Sequence, residues 1–307
     1  MTDILFSVVL PTYNRRDALI RCLRSIDASA FDHTRFEVIV VNDGGSAVDD
    51  VAHLPDLATL RVRIASQQNR GPAAARNLGA TLSRGRYLAF IDDDCIASKD
   101  WLAKLEEAVA RFPRRMIGGK TVNLLRDNAF SQASQCLVDY VYKYYNDSEV
   151  DRTRFFASNN LAVDARMFAE SGGFDESFRS AEDRDFCRAW KARGWDFHYA
   201  PDVIIQHAHH LTLASLQKQH FGYGRGALPY WKKGATQNST RFKVEPLAFY
   251  SGMLMHPFSQ HVPHAAAIAA LILVSQVSNA AGFAYEAARS LVRKRNIATA
   301  AHRTAHV

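Results

Sequence analysis

Cysteine is scarce and dispersed in this chain. Its four thiols stand at positions 22, 95, 136 and 187, with no Cys-x-x-Cys pair among them, which argues against a zinc ribbon or a dithiol redox motif. Scattered buried thiols in a reducing compartment are the reading that remains. The amino-terminal stretch MTDILFSVVL has an acid at Asp3, no basic segment, and a proline directly after it at Pro11. It lacks the pattern of a secretory leader, so a cytoplasmic chain is expected. Internal repeats are absent, and 9 prolines and 16 glycines among 307 residues exclude collagen-like or low-complexity composition. No DNA-binding pattern or base-stacking motif accompanies the net charge of +7, so nucleic acid is not the expected partner.

What the chain does contain is the composition of a globular protein, 48% apolar and 22% charged, with length for one large core plus an appendage. Its first hundred residues alternate short β-branched runs with amphipathic stretches. Strands are expected at Leu5–Leu10, stopped by Pro11, and at Phe36–Val41, Leu60–Ile64 and Tyr87–Ile91. Helices are expected over Asp17–Ser29, from Pro72 to before Gly85, and around Trp101–Phe112. Further on, short strands are expected near Met116–Val122, Asn160–Val163 and His198–Ile205, with a helix over Asp183–Arg193 stopped at Gly194. Such alternation predicts an α/β fold with a mostly parallel sheet covered on both faces. Ligands of such sheets bind beyond the carboxyl ends of the strands. Three of those ends are polar here: Pro11-Thr12-Tyr13-Asn14, Asn42-Asp43 and Asp92-Asp93-Asp94. They should converge on one site.

The chemistry of these residues narrows the function. Three adjacent carboxylates repel one another unless a cation or hydrogen-bond donors share the charge. Carboxylate oxygens suit Mg²⁺ or Mn²⁺ in company with substrate phosphates, although an acidic cluster is also an ordinary solvated turn. Asp43 is placed to accept from a nucleobase or ribose, or simply to form the turn before Gly44. Arg76, on a helix of small residues (Ala73, Ala74, Ala75), can hold a phosphate or an aspartate. Glu182 and Asp183 open a helix, where acids cap and complement the dipole but can also serve as a general base. His207 follows an apolar strand, as a structural imidazole or a metal ligand.

Taken together, Ser7–Arg15, Val40–Gly44, Asn69-Arg70-Gly71 with Ala75-Arg76-Asn77, Ile91–Asp94, Gly172-Gly173-Phe174-Asp175-Glu176, Glu182-Asp183 and Tyr223-Gly224-Arg225-Gly226 resemble the family 2 glycosyltransferases in order and spacing. The similarity covers roughly residues 4 to 230. It implies a GT-A fold and an inverting transfer of a sugar from a nucleotide-diphosphate donor, a UDP-sugar being favoured, to an acceptor hydroxyl in glycan or glycolipid synthesis. It implies donor contacts from Pro11, Thr12, Tyr13, Asn14, Asp43, Arg76, Asp92, Asp93 and Glu182, with Asp43 at the base and Asp93 near the ribose. It implies a Mn²⁺ or Mg²⁺ ion held by Asp94, Asp92 and His207, with His209 and His210 as competitors, and Asp183 as the base. Cys95 stands where a further acid is common in the family. Nucleotidyltransferases share the architecture, but they use a glycine-rich, lysine-bearing phosphate loop that Pro11–Asn14 does not supply; a non-catalytic binding relic is the other alternative.

Residues 1–230 are thus expected to be the catalytic domain and 231–307 a helical extension. No Asp, Glu, Lys or Arg occurs between Pro246 and Tyr285, whereas Arg289, Arg293, Lys294 and Arg295 follow. The polar Ser275, Gln276, Ser278 and Asn279 disfavour a bilayer span. A buried or oligomerising helix, or one lying on the inner face of an anionic membrane, fits better.

Overall fold

The computed structural model describes residues 4–146, 155–237 and 244–304, with side chains up to Val292 in the last segment. Two compact units divide at His210/Leu211.

The first unit is built on one eight-stranded sheet. Its strands are β1 Phe6–Thr12, β2 Phe36–Asn42, β3 Val62–Ser66, β4 Tyr87–Ile91, β5 Cys95–Ala97, β6 Met116–Asn123, β7 Asn160–Asp164 and β8 Phe197–His207. They lie in the order β3-β2-β1-β4-β7-β6-β8-β5. β1 to β4 run parallel; β7 is antiparallel to both its neighbours, β8 is again parallel to β6, and β5 closes the edge antiparallel to β8. Helices α1 Arg16–Asp27, α2 Pro72–Thr81, α3 Trp101–Arg111, α4 Ala129–Asn146, α5 Ala165–Ser171 and α6 Glu182–Ala192 complete the unit.

The period of two along a strand explains the layering. Val8 and Leu10 of β1 pack with Leu19, Leu23, Trp101 and Leu105 of α1 and α3 in one core. Val9, one residue out of phase, belongs to a second core with Phe90, Leu161, Phe174, Phe186 and Trp190. α2 sits against β1 because position 79 is glycine: a Cβ there would lie 2.4 Å from Val9 Cγ1.

Several expectations need correction. β1 does not stop before Pro11 but carries it in register with Val41 and ends at Thr12, beyond Val9, the last residue of β1 paired with β4. The short β5 and the helices α4 and α5 fall in stretches whose apolar spacing showed no regular period; α4 is crowded with Tyr140, Tyr142, Tyr144 and Tyr145, residues that favour strands. The boundary expected at 230 falls instead at 210/211, since helix α7 Leu213–Thr236 runs unbroken through 230.

One buried side chain holds an irregularity in the sheet. β6 and β8 pair up to Gly119↔Ala200 and resume at Lys120↔Ile204, so Pro201–Val203 are extra residues on β8. Asn160, on β7, bridges the interruption: its Nδ2 donates to Lys120 O at 3.0 Å and Val203 O at 2.9 Å, and its Oδ1 accepts from Trp101 Nε1 at 3.0 Å. Gly119 makes room, because a Cβ would lie 2.3 Å from Asn160 Nδ2.

The second unit contains α7, α8 Leu247–Ser259 and α9 Ala265–Thr304. Thr212 and Ser215 form a capping box at the start of α7. α7 and α9 approach at glycines: a Cβ at Gly224 would lie 1.9 Å from Asn279 O, and one at Gly282 2.0 Å from Phe221 O. Arg225 Nε to Glu286 Oε2 at 2.9 Å and Lys232 Nζ to Ser290 Oγ at 2.6 Å tie the same pair.

Replacing Asn160 by Ala strands one indole N–H and two carbonyls in the core. Urea unfolding should show a loss of roughly 3 kcal/mol; a change under about 0.5 kcal/mol, the scale of an ordinary surface substitution, would show that the bridge does not hold the irregularity.

Candidate functional site

The polar ends of β1, β2 and β4 do meet. Thr12 Oγ1 donates to Asp93 Oδ2 at 2.7 Å, and Asn14 Oδ1 accepts from Ser46 N, beyond β2, at 2.8 Å. Asn14 takes a left-handed conformation (φ 55°), which asparagine tolerates better than most residues. It directs the chain from β1 into α1, and Tyr13 is left 49% exposed at the rim.

Asp43 is buried after β2 and fully engaged. Its Oδ1 accepts from Gln67 Nε2 at 2.7 Å and Arg70 N at 2.9 Å, and its Oδ2 from Gly71 N at 2.8 Å. The carboxylate therefore fixes the loop that leads into α2. Asn77 on α2 holds the Gly172–Glu176 segment, accepting from Phe174 N at 2.9 Å and donating to Phe174 O at 2.8 Å, and Arg70 pairs with Glu176.

Arg76, 3% exposed, joins the sheet to α6. Its Nη2 donates to Asp92 Oδ1 at 2.6 Å and its Nη1 to Glu182 Oε1 at 3.1 Å, and the guanidinium lies 5.8 Å from the centre of the Phe174 ring. Burial opposes its charge, but Asp92 and Glu182 hold it firmly protonated. α6 begins after Ala181, itself left-handed at φ 70°, a strained state for a residue with a Cβ. Glu182 is thereby turned inward to Arg76. Asp183 follows, partly buried, with Oδ1 accepting from Arg184 N at 2.7 Å. Burial and the neighbouring Glu182 push its carboxyl up to about 7.

The triple aspartate divides into three environments. Asp92 faces Arg76. Asp93, buried, titrates near 6 because burial outweighs the help of Thr12 and Arg15. Asp94 Oδ2 accepts from Arg15 Nη1 at 2.7 Å, and Asp94 Oδ1 lies 3.2 Å from His207 Nε2. Burial disfavours its charge, yet His207 and Arg15 hold it well below the usual carboxylate range. Burial likewise opposes the His207 cation, and Asp94 more than offsets it, so His207 is raised. The backbone brings these two together: Cys95 pairs with His207 across β5 and β8, and Ala208 N donates to Asp94 O at 2.8 Å.

Ligand atoms of Asp94, Cys95 and His207 lie within 4.8 Å of one another. The Cys95 thiol is buried and raised well above its ordinary value, first by burial and then by the aspartates, and its soft sulfur is a poor match for a hard oxygen-seeking cation. One carboxylate and one imidazole, open to further oxygen ligands, fit Mn²⁺ or Mg²⁺. His207 is thus the histidine at Asp94; His209 stacks on it at 4.9 Å, lowered to about 4 by burial and the His207 charge, and His210 is exposed. Asp92, expected at the metal, lies outside this group among the described residues. Arg15 was not among the expected site residues; it reaches Asp93 and Asp94 only because β1 pairs with β4. The Tyr223–Gly226 motif lies in α7, in the second unit.

Residues 7–169 match the model of glycosyl transferase family 2. A glycosyltransferase of Haloferax volcanii, AglE, is 25% identical over 228 residues, 73% of each chain. A Rickettsia felis glycosyltransferase is 37% identical over 100 residues, which is 32% of this chain and only 16% of that protein. Among solved structures, a mannosyltransferase of Pyrobaculum calidifontis in complex with GDP-Man and Mn²⁺ superposes with a TM-score of 0.59 at 16% identity, covering 90% of this chain and 87% of that one. TarS of S. aureus in complex with UDP-GlcNAc gives 0.52 at 15% identity, covering 91% and 89%. The fold is that of the GT-A glycosyltransferases, as expected.

A carboxyl held protonated in the fold costs stability as it ionises. Because native Asp183 keeps its proton to about 7 and an unfolded carboxyl only to about 4, the native state binds more protons between those values, and stability falls as pH rises through the window. Asp183→Asn removes that slope. The variant should melt above the parent at pH 8, with the difference vanishing toward pH 4; equal melting at pH 8 would contradict the assignment.

Proposed function

The chain belongs to glycosyl transferase family 2, and from that membership we propose that it is an inverting, metal-dependent enzyme transferring a sugar from a nucleotide-diphosphate donor to an acceptor hydroxyl. The observation that carries this reading is Asp183: a carboxyl raised toward neutrality at the start of α6, tied through Glu182 and Arg76 to Asp92. A base titrating near the working pH is well matched to taking a proton from a hydroxyl as that oxygen attacks. A single displacement at the anomeric carbon needs no carboxylate nucleophile on the opposite face, and it inverts the centre.

The remaining residues bind and orient. Pro11, Thr12, Tyr13 and Asn14 form one wall of the donor site, with the exposed Tyr13 ring available to the base. Asp43 holds the loop over which the base lies; Oδ1 is taken by Gln67 and Arg70, and Oδ2, which accepts only from Gly71 N, keeps one lone pair for an imide or ribose donor. Asp93, hydrogen-bonded to Thr12, faces the ribose. Arg76 keeps Asp92 and Glu182 in place for the sugar and diphosphate. Mn²⁺ or Mg²⁺ held by Asp94 and His207 would neutralise charge on the departing diphosphate. Arg15 supplies positive charge to the same carboxylates. The related structures carry GDP-Man in one case and UDP-GlcNAc in the other, and both are sugar nucleotides of the proposed class; a UDP-sugar is our choice of donor. Four buried free thiols suit a cytoplasmic setting.

Screening nucleotide sugars for Mn²⁺-dependent hydrolysis tests the reading directly, and the anomeric configuration of the transferred sugar, read by NMR, tests inversion. Asp183→Asn should lower turnover by about a thousandfold while UDP or GDP binding is unchanged; retained turnover, or lost nucleotide binding, would remove Asp183 from the role of base. Turnover of the parent should fall on the acid side of about pH 7, as Asp183 gains its proton. Asp94→Ala should abolish the Mn²⁺ dependence of UDP or GDP binding in calorimetry; binding that still responds to Mn²⁺ would place the ion elsewhere.

A further inference from the structure

The second unit wears its apolar surface outward. Exposed positions on α9 recur every three or four residues from Ala266 to Leu291, and along that line they are only Ala, Leu and Val. Leu273 is 52%, Val277 63% and Leu291 69% exposed. The polar residues lie on the other side: Ser275 is buried, and Gln276, Ser278 and Asn279 are partly buried. Two of the hydroxyls satisfy themselves on their own helix, Ser275 Oγ with Ile272 O at 2.7 Å and Ser278 Oγ with Val274 O at 2.9 Å. A helix packed in water shows the opposite arrangement. α8 adds the exposed Leu247, Met255 and Phe258.

Charge is divided just as sharply. Residues 1–210 hold 27 Lys and Arg against 29 Asp and Glu, whereas residues 211–307 hold 11 against 2. The whole positive excess of the chain therefore belongs to the second unit. An exposed Arg289 lies near the end of the apolar stripe, and Arg293, Lys294 and Arg295 follow in sequence, their side chains outside the described ones. Such a unit repels its own copy and attracts an anionic surface.

We propose that α9 docks along the interface of an anionic bilayer, with its Ala, Leu and Val stripe among the upper acyl chains and its basic end on phosphate headgroups. The neighbour of α9 sets the orientation. α7 lies along it, linked by Arg225 to Glu286 and by Lys232 to Ser290. A spanning α9 would carry those charges into hydrocarbon, which is costly; a helix lying flat leaves α7 on the water side.

Flotation of the full chain with vesicles tests this. It should float with phosphatidylcholine containing about 30% phosphatidylglycerol and much less with phosphatidylcholine alone. Leu273→Glu with Val277→Glu changes two exposed positions, so the circular dichroism and melting should be kept while partitioning falls about tenfold or more. The proposal is overturned if the folded parent floats with neither vesicle, if both vesicles bind it equally, or if the double variant binds as well as the parent. Retention through alkaline carbonate would overturn it in favour of a span. A concentration-dependent dimer lost in the double variant, without vesicle binding, would assign the stripe to a second copy.

Discussion

A guanidinium almost without access to water is the constraint around which the site is arranged. Arg76 cannot shed its proton, so two anions must come to it, and Asp92 and Glu182 do so from elements far apart in sequence. The arrangement fixes where α6 begins relative to the end of β4. It also fixes the surroundings of Asp183, because Glu182, held beside it, is one of the charges that keep its carboxyl from ionising. Removing one partner of such a buried set leaves the others uncompensated, a loss usually of several kcal/mol. The same ion pairs that hold the first unit together at this point also set the acidity of the proposed base.

The triple aspartate shows how position alone differentiates identical side chains. The turn between β4 and β5 sends Asp92 toward Arg76, Asp93 under Thr12, and Asp94 toward His207, with Arg15 reaching both Asp93 and Asp94. Asp94 is consequently held well below the usual carboxylate range by His207 and Arg15, while burial raises Asp93 to about 6. Arg15 pairs with the oxygen of Asp94 turned away from His207, and the other oxygen faces the imidazole.

Much of this was legible in the sequence, for physical reasons. Buried parallel strands declare themselves as short apolar runs, and polar residues at their ends can only lie at one edge of the sheet; that is why Thr12, Asp43 and Asp92–Asp94 were found together. His207 and Asp183 were named from the resemblance of the motifs, and His207 does stand beside Asp94. What stayed hidden depends on pairing at long range. Nothing local distinguishes Arg15 from a solvated arginine, since its role exists only once β1 and β4 are adjacent. The choice of His207 over His209 and His210 needed the pairing of β5 with β8. α4 hid behind four tyrosines, and the place of the 210/211 division depended on how far one continuous helix extends. Asp43 was placed correctly at a strand end, but its three donors come from a loop whose path no spacing rule encodes.

The interruption between β6 and β8 has a consequence of arithmetic. A strand turns alternate residues to opposite faces, and the extra residues Pro201–Val203 number three, which is odd. Every side chain of β8 beyond the bulge is therefore on the face opposite to the one an uninterrupted ladder would have given it, His207 among them. The segment is under a parity rule. Pro201 and Asp202 are exposed while Val203 is held in the core, and the segment's length could change by two residues without moving the imidazole to the other side of the sheet. A change of one that slipped the register of β8 would set Gln206 or Ala208 opposite Cys95 in place of His207, and the proposed metal site would vanish without any of its own residues having been touched.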